Sequence, residues 1–325
     1  MKLGHVLRAQ DFSRDWMDHF FRLAGEVKVS LNSPSGREQL SLRLLRKKVF
    51  AFFAEESTRT RFSFCTAAIN LGMSVVWCEN GRFSSMAKGE SLEETVEVLL
   101  GFRPDVLVLR HPDDDASAIA AQISDRRHGG IPIINAGSGR KHHPTQALLD
   151  MFTIQEILGR LDNLTVAIGA DVLYSRTARS IAYILSKFHG ISMRFITPAA
   201  LRPPSELLDH LWKSGVNLSM TSNLKEGIRG ADVVYWGRLQ VERVPDEALK
   251  AQLARQCAKF QIGMREISLM EPHAILLHPM PISDKNEIAM EVRQGPVPSF
   301  KAYEQAANGL PVRMALLLEL FEGGN

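Results

Sequence analysis

The sequence predicts an α/β protein of two doubly wound parallel-sheet domains joined by helices. Three observations lead there. Short apolar runs alternate with longer stretches of helical period, the βαβ pattern that calls for a parallel sheet covered on both faces. That pattern stops near residue 160 and then restarts. A length of 325 residues accommodates two domains of roughly 150 residues each.

The elements follow in order. Residues 48–53 read as a buried strand, 57–71 as a helix and 73–78 as a second strand. A polar loop, 79–89, leads to a helix over 91–102. Then come a strand at 105–109, a helix at 114–124 and a strand at 131–135. Residues 143–158 place Leu148, Leu149, Phe152, Ile154 and Ile157 at helical spacing. The second series has strands at 164–169 and 193–197, helices at 176–188 and 203–213, and strands at 232–236 and 274–277. Two helical stretches, 301–307 and 310–321, break at Asn308-Gly309. In such folds ligands bind beyond the carboxyl ends of the strands. Chemistry is therefore expected in the loops after Phe53, Cys78, Leu109, Asn135, Gly169, Trp236 and Leu277.

Composition narrows the class. Hydrophobic residues make up 45% and charged residues 23%, which is ordinary for a folded chain and excludes disorder, collagen and coiled coil. Lys and Arg number 39 against 36 Asp and Glu, a net charge of +3. That is too mild for a nucleic-acid-binding face, though local clusters can still take a small anion. Cys65, Cys78 and Cys257 are odd in number and widely spaced. They form neither a disulfide framework nor a zinc motif, and read as reduced, partly buried thiols of a cytoplasmic protein. The opening residues, MKLGHVLRAQDFSRDW, hold no apolar signal core, and no stretch has the apolar length of a membrane span.

The strand-end loops are rich in donors. Ser57-Thr58-Arg59-Thr60-Arg61 follows the first strand. Ser57 is a good N-cap, and a helix N-terminus with an arginine and two threonine hydroxyls suits a phosphate-sized anion. The alternative is a capped helix whose arginines pair with Glu55 and Glu56. Arg110-His111-Pro112 follows the third strand. Asn135-Ala136-Gly137-Ser138-Gly139 and His143-Pro144-Thr145-Gln146 follow the fourth. The glycines fall short of a dinucleotide fingerprint, which argues against an oxidoreductase. His142-His143 as a metal pair, and Asp113-Asp114-Asp115 as a metal site, are weaker readings than solvated or helix-terminal charge. What distinguishes the set is convergence, since three strand ends aim Arg, His and Thr donors at one side of a sheet.

These residues resemble the aspartate and ornithine carbamoyltransferase family. The resemblance rests on FAEESTRTRFSF, KGESLEET, LRHP, NAGSGRKHHPTQALLDMFTIQEILGRLDNL, GRLQVER, HPMP and EQAANGLPVRMALLLEL. It runs collinearly from about Phe50 to the C-terminus, and the aspartate branch is the closer match. It implies a carbamoyl-phosphate domain at 1–143 and 304–325 and an amino-acid domain at 144–303, with the active site in the interdomain cleft. It further implies carbamoyl transfer from carbamoyl phosphate to L-aspartate, as in pyrimidine synthesis, with no cofactor and no metal.

Site residues follow by motif. Ser57, Thr58, Arg59 and Thr60 match the family's phosphate cradle. Arg110 and His143, with Thr60, match groups on the carbamoyl oxygen, and Gln146 matches a ligand of the carbamoyl amino group. Met280 and Pro281 match a turn that supplies a backbone carbonyl and holds a cis peptide. Arg176 matches the α-carboxylate site, and Arg238 and Gln240 match the side-chain carboxylate site, with Glu242 placed to orient Arg238. Ser84 and Lys88 match residues that reach a neighbouring subunit's site, implying a homotrimer with shared active sites. Regulatory or other subunits are possible partners; nucleic acid and membrane are not expected. Departures are Glu56 beside the cradle, Leu173 where the aspartate branch commonly has lysine, and Ile282 where an arginine often follows the turn. The SMG loop and HCLP cysteine of the ornithine branch are missing. Two alternatives remain: another amino acceptor, or a non-catalytic relative that binds carbamoyl phosphate or a partner.

Overall fold

Each predicted βα series forms its own sheet, and every strand pairing among the described residues is parallel. The computed structural model of the chain describes residues 3–79, 89–283 and 287–323. Two units result, one of Met1–Phe152 with Asn308–Asn325 and the other of Thr153–Ala307.

The first unit opens with two helices that the strand pattern did not announce, α1 (Arg14–Leu31) and α2 (Pro34–Ser41). The signal for α1 lay in its spacing: Met17, Phe20, Phe21, Ala24 and Val27 form one buried stripe. The sheet follows as β1 (Lys48–Phe53), β2 (Ser74–Glu79), β3 (Val106–His111) and β4 (Ile133–Ser138), ordered β2-β1-β3-β4. Helices α3 (Thr58–Asn70), α4 (Leu92–Gly101) and α5 (Ala116–Arg127) connect the strands, and α6 (Pro144–Leu158) leaves them. Ser91 and Glu94 form a capping box that starts α4. Phe52, Leu107, Leu109 and Ile133 of the sheet bury against Leu92, Val96 and Leu100 of α4.

Two strand ends differ from expectation in a way that matters for the site. β3 runs on through Arg110 and His111, and β4 through Ser138. Hydropathy stopped both early because their last side chains are polar. The backbone nevertheless keeps pairing, with Arg110 opposite Phe53 and Ala54 N donating to Arg110 O at 2.8 Å.

The second unit holds β5 (Thr165–Gly169), β6 (Ser192–Ile196), β7 (Asn217–Thr221), β8 (Val233–Trp236) and β9 (Ile275–Leu277), ordered β7-β6-β5-β8-β9. Its helices are α7 (Arg176–Leu185), α8 (Ser205–Lys213), α9 (Leu224–Ile228), α10 (Glu247–Gln256), α11 (Met264–Ile267), α12 (Met290–Gln294) and α13 (Ala302–Ala307). Strand β7 escaped the sequence reading because it is an edge strand, largely exposed and without an apolar run. Trp236 is fully buried and donates its indole N–H to Phe260 O at 3.0 Å. Its ring lies where a Cβ on Gly169 would stand, so β5 must end in glycine. Finally α14 (Gly309–Glu322) returns to the first unit and packs on α1 and α3.

Cys65 and Cys257 are partly buried, as expected, but Cys78 is exposed on β2, the edge strand of its sheet. Among the described residues no helix is long and apolar enough to cross a membrane. Nor does any group of three or more His, Cys, Asp or Glu there have the arrangement to hold a metal ion.

Candidate active site

In the first unit, neighbouring strands β1, β3 and β4 bring their carboxyl ends together. Ser57 precedes α3 in extended conformation, yet its hydroxyl makes no capping hydrogen bond. Ser13, Ser33, Ser91 and Ser175 all cap their helices. The first-turn N–H groups of α3 thus meet no serine cap and stand at the positive end of the helix dipole. Thr58 and Arg59 are exposed there, and Thr60 is buried. Although the side chain as a whole is exposed, loss of water around part of its guanidinium lowers Arg59 from its ordinary value, without approaching neutrality near pH 7.

The alternative for this segment set its arginines against Glu55 and Glu56; the described contacts give Glu55 a different arginine as well. Glu55 pairs with Arg110, Nη2 to Oε2 at 3.3 Å, and Glu56 is exposed. Arg61 lies over the rings of Trp77 and Phe62. The reason is topological: Glu55 leaves the end of β1 directly beside the end of β3. Arg110 is buried, and its Nη1 also donates to Ala136 O at 3.2 Å. One guanidinium therefore ties together the ends of β1, β3 and β4.

The end of β4 is braced from within. Asn135 Oδ1 accepts from Gly137 N at 2.8 Å and from Ser138 Oγ at 3.1 Å, and its Nδ2 donates to Leu7 O. Asp114 and Asp115 contribute to the same bracing, accepting from Arg140 N and Lys141 Nζ. His143, buried, stands just ahead of α6. One turn on, Gln146 Nε2 donates to Asp150 Oδ1 at 2.8 Å. With its amide nitrogen so engaged, Gln146 presents its oxygen as an acceptor. Asp150 is a participant the sequence reading missed; its i, i+4 spacing from Gln146 on a helix was the available signal.

In the second unit, neighbouring strands β5, β8 and β9 supply the loops. Gly237 N donates to Gly169 O at 2.6 Å, which joins the ends of β8 and β5. Asp171, fully buried, accepts from Tyr174 N at 2.9 Å and from Gln240 N at 3.2 Å. Burial raises its carboxyl to about 6 against the pull of those two N–H groups. Arg243 Nη1 donates to Tyr174 O at 3.2 Å, a second tie between the same loops. Arg176 is buried at the start of α7, whose cap is Ser175. The expected partnership of Arg238 and Glu242 is present, Nη2 to Oε1 at 2.5 Å. Burial alone would raise Glu242; its hydrogen bond to Arg238 brings it below its ordinary value. Leu173 and Ile282 pack against the apolar core of this unit.

The turn after β9 is the third part. His278 and Glu287 are buried and bonded to each other, Met280 has φ 54°, and the Met280–Pro281 peptide is cis. Ser84 and Lys88 lie outside the described residues.

Each unit therefore presents a cluster of donors at the carboxyl edge of its sheet. In the first, backbone N–H groups, hydroxyls and cations suit a phosphate ester with a carbonyl. In the second, two arginines suit two carboxylates.

Comparison with known proteins gives the family. The family profile described as aspartate/ornithine carbamoyltransferase, carbamoyl-P binding domain, matches residues 4–156. The Asp/Orn binding domain profile of the same family matches residues 162–320. The chloroplastic aspartate carbamoyltransferase of Oryza sativa subsp. japonica is 37% identical across 99% of this chain and 86% of its own length. The aspartate carbamoyltransferase catalytic subunit of Methanothrix thermoacetophila is 36% identical across 99% of both. Among solved structures, aspartate transcarbamoylase of Trypanosoma cruzi in complex with carbamoyl aspartate and phosphate superposes with a TM-score of 0.88 at 33% identity, covering 98% of this chain and 96% of that one.

Proposed function

This chain belongs to the aspartate/ornithine carbamoyltransferase family, and from that premise we propose that it moves the carbamoyl group of carbamoyl phosphate to the α-amino group of L-aspartate. The products are N-carbamoyl-L-aspartate and phosphate, and the place is pyrimidine synthesis. One observation carries the choice of acceptor: the second unit sets two arginines, Arg176 and Arg238, on loops joined through Asp171, and aspartate brings two carboxylates.

In this reading Ser57, Thr58, Arg59 and Thr60 hold the phosphate. Arg110, His143 and Thr60 face the carbamoyl oxygen. Gln146 and the Met280–Pro281 turn take the carbamoyl amino group, and Arg176, Arg238 and Gln240 take aspartate. The amine attacks the carbonyl carbon, a C–N bond forms, and the oxygen gathers negative charge. Donors placed in advance stabilise that charge without reorganising. The C–O bond to phosphate then breaks, and the departing phosphate accepts the amine proton. No enzyme nucleophile enters the sequence.

We also place Ser84 and Lys88 in a neighbouring copy's site, making a homotrimer the working unit. Support comes from apolar side chains left exposed on β2 and α3, among them Val76, Trp77, Phe62 and Ile69, since exposed apolar patches mark association surfaces. Three free cysteines favour the cytoplasm as its compartment, although the Oryza relative is named chloroplastic.

A second reading keeps the transfer and changes the acceptor. It is favoured by Leu173, which packs into the core where the aspartate branch commonly has lysine. A panel of amino acids incubated with carbamoyl phosphate, read by ureido product, tests both. Product with L-aspartate alone supports the first reading. Product with a different amine supports the second, and none with any amine defeats both.

A further inference from the structure

We propose that His278 is a positioning residue for the carbamoyl transfer just described: its ring, held by Glu287, fixes the backbone of Met280 and so aims the Met280 carbonyl at the carbamoyl amino group. The inference rests on that reading of the reaction.

The geometry settles the state of the ring. Met280 N–H can only donate, and it donates to His278 Nδ1 at 2.8 Å. Nδ1 therefore carries a lone pair, the proton sits on Nε2, and Nε2 donates to Glu287 Oε1 at 3.0 Å. Both ring nitrogens are engaged and both side chains are buried, so the imidazole cannot turn. The partner carboxylate is itself clamped, because Ser283 donates to Glu287 through N at 3.0 Å and through Oγ at 2.5 Å. Burial alone would raise the Glu287 carboxyl; the hydrogen bonds from His278 and Ser283 overcome this and bring it down to about 2. It stays an anionic acceptor across the neutral range. At the other end, His278 N donates to Gln305 Oε1 at 2.8 Å.

The turn so clamped needs clamping. Met280 has φ 54°, in the left-handed region that side chains other than glycine's disfavour. That conformation sets the direction of the following carbonyl. An ordinary exposed turn would use glycine here. A methionine held by a buried His–Glu pair at a proposed substrate contact is the pattern of a preorganised site.

Two conservative variants separate aiming from mere support. In His278→Asn the side-chain oxygen can stand where Nδ1 stood and accept from Met280 N–H, but it cannot reach Glu287. In His278→Gln the amide can reach Glu287 while the Met280 N–H loses its acceptor. A displacement of about 1 Å in a reacting geometry costs on the order of 100-fold. We expect His278→Gln to lower kcat by about 10- to 100-fold, with KM for aspartate within about three-fold, and His278→Asn to recover most of that loss. Circular dichroism confirms folding of each variant. If His278→Gln fails to fold, Glu287→Gln serves instead, with a fall in kcat expected at unchanged aspartate KM. Wild-type kcat in the folded variant, or equal losses in the Asn and Gln variants, would overturn the inference. A wild-type chain unable to carbamoylate any amine would instead defeat the reaction on which it rests.

Discussion

Arg238 and Glu242 form an ion pair with Nη2 and Oε1 2.5 Å apart, one helical turn from each other on the loop that follows β8. Both side chains are more than a third exposed, so the pair stabilises the fold little, roughly 1 kcal/mol at most. Its consequence is directional. Glu242 fixes where the fork of Arg238 points, and in the proposed assignment that direction is what a substrate carboxylate meets. Glu242→Gln should therefore raise the KM for aspartate by about five-fold while kcat moves less, because roughly 1 kcal/mol of orientation is lost in ground state and transition state alike. Initial rates against aspartate, at saturating carbamoyl phosphate, check this. A fall in kcat with unchanged KM would show that Glu242 acts elsewhere.

His143 is expected to behave in the opposite way. Its proposed partner, the carbamoyl oxygen, becomes strongly negative only as the amine attacks. Removing one such donor typically costs about 2.7–4 kcal/mol. His143→Ala should lower kcat by about 100- to 1,000-fold with the far-ultraviolet spectrum unchanged. A folded variant with near-normal turnover would remove His143 from the site.

The contrast between these residues and Asp171 marks how far the sequence could be read. Strand-end Arg110, Arg176 and Arg238 were legible because βα periodicity located the loops, and loop cations at sheet edges stand out. Motif resemblance then attached roles to them. The Glu55–Arg110 pair was not legible: it joins residues far apart in sequence, and only the adjacency of β1 and β3 brings them together. Strand ends at His111 and Ser138 were misplaced because hydropathy measures side chains, while pairing is made by the backbone. The tie from Asp171 to Gln240 N, and the His278–Glu287 pair, depend on burial that no local pattern records. Strand β7 went unseen for the complementary reason, since an exposed edge strand needs no apolar run.

Asp171 makes a testable electrostatic signature. Burial lifts its carboxyl to about 6 in the folded protein, against about 3.9 for an unfolded aspartate. The folded state therefore binds its proton more tightly than the unfolded state. Stability from this group is fully present below about pH 4 and is lost as pH rises through 6. The component is worth roughly 3 kcal/mol, at 1.36 kcal/mol per unit. Asp171→Asn should flatten that part of the pH dependence, measured as urea unfolding at steps from pH 4 to 7. Glu287, brought down to about 2, has the opposite sign, and its share disappears only as pH falls below about 4.5. An unchanged slope between pH 4 and 6 in Asp171→Asn would contradict the buried, raised carboxyl.

Arg313 extends the argument from the site to the end of the chain. It sits on α14, nearly fully buried, with Nη1 donating to Ser63 Oγ at 2.9 Å and to Gly309 O at 3.2 Å, and its guanidinium over the ring of Phe64. Burial lowers its pKa to about 10, and the attraction of Asp150 offsets only part of that. Asp150 in turn holds the Gln146 amide. The last helix thus places a positive charge within electrostatic reach of a buried aspartate beside a proposed substrate ligand. Removing one of two interacting buried charges costs up to about 3–5 kcal/mol, whereas neutralising both is far milder. Arg313→Met should therefore destabilise the chain by roughly 3 kcal/mol, and adding Asp150→Asn should restore much of it. The double variant should still show a raised KM for carbamoyl phosphate, because an asparagine can turn its amide nitrogen toward Gln146 and no longer fixes which way that side chain points. Urea midpoints and carbamoyl-phosphate titrations read the two effects separately. Additive loss of stability in the double variant would mean that Arg313 and Asp150 act independently.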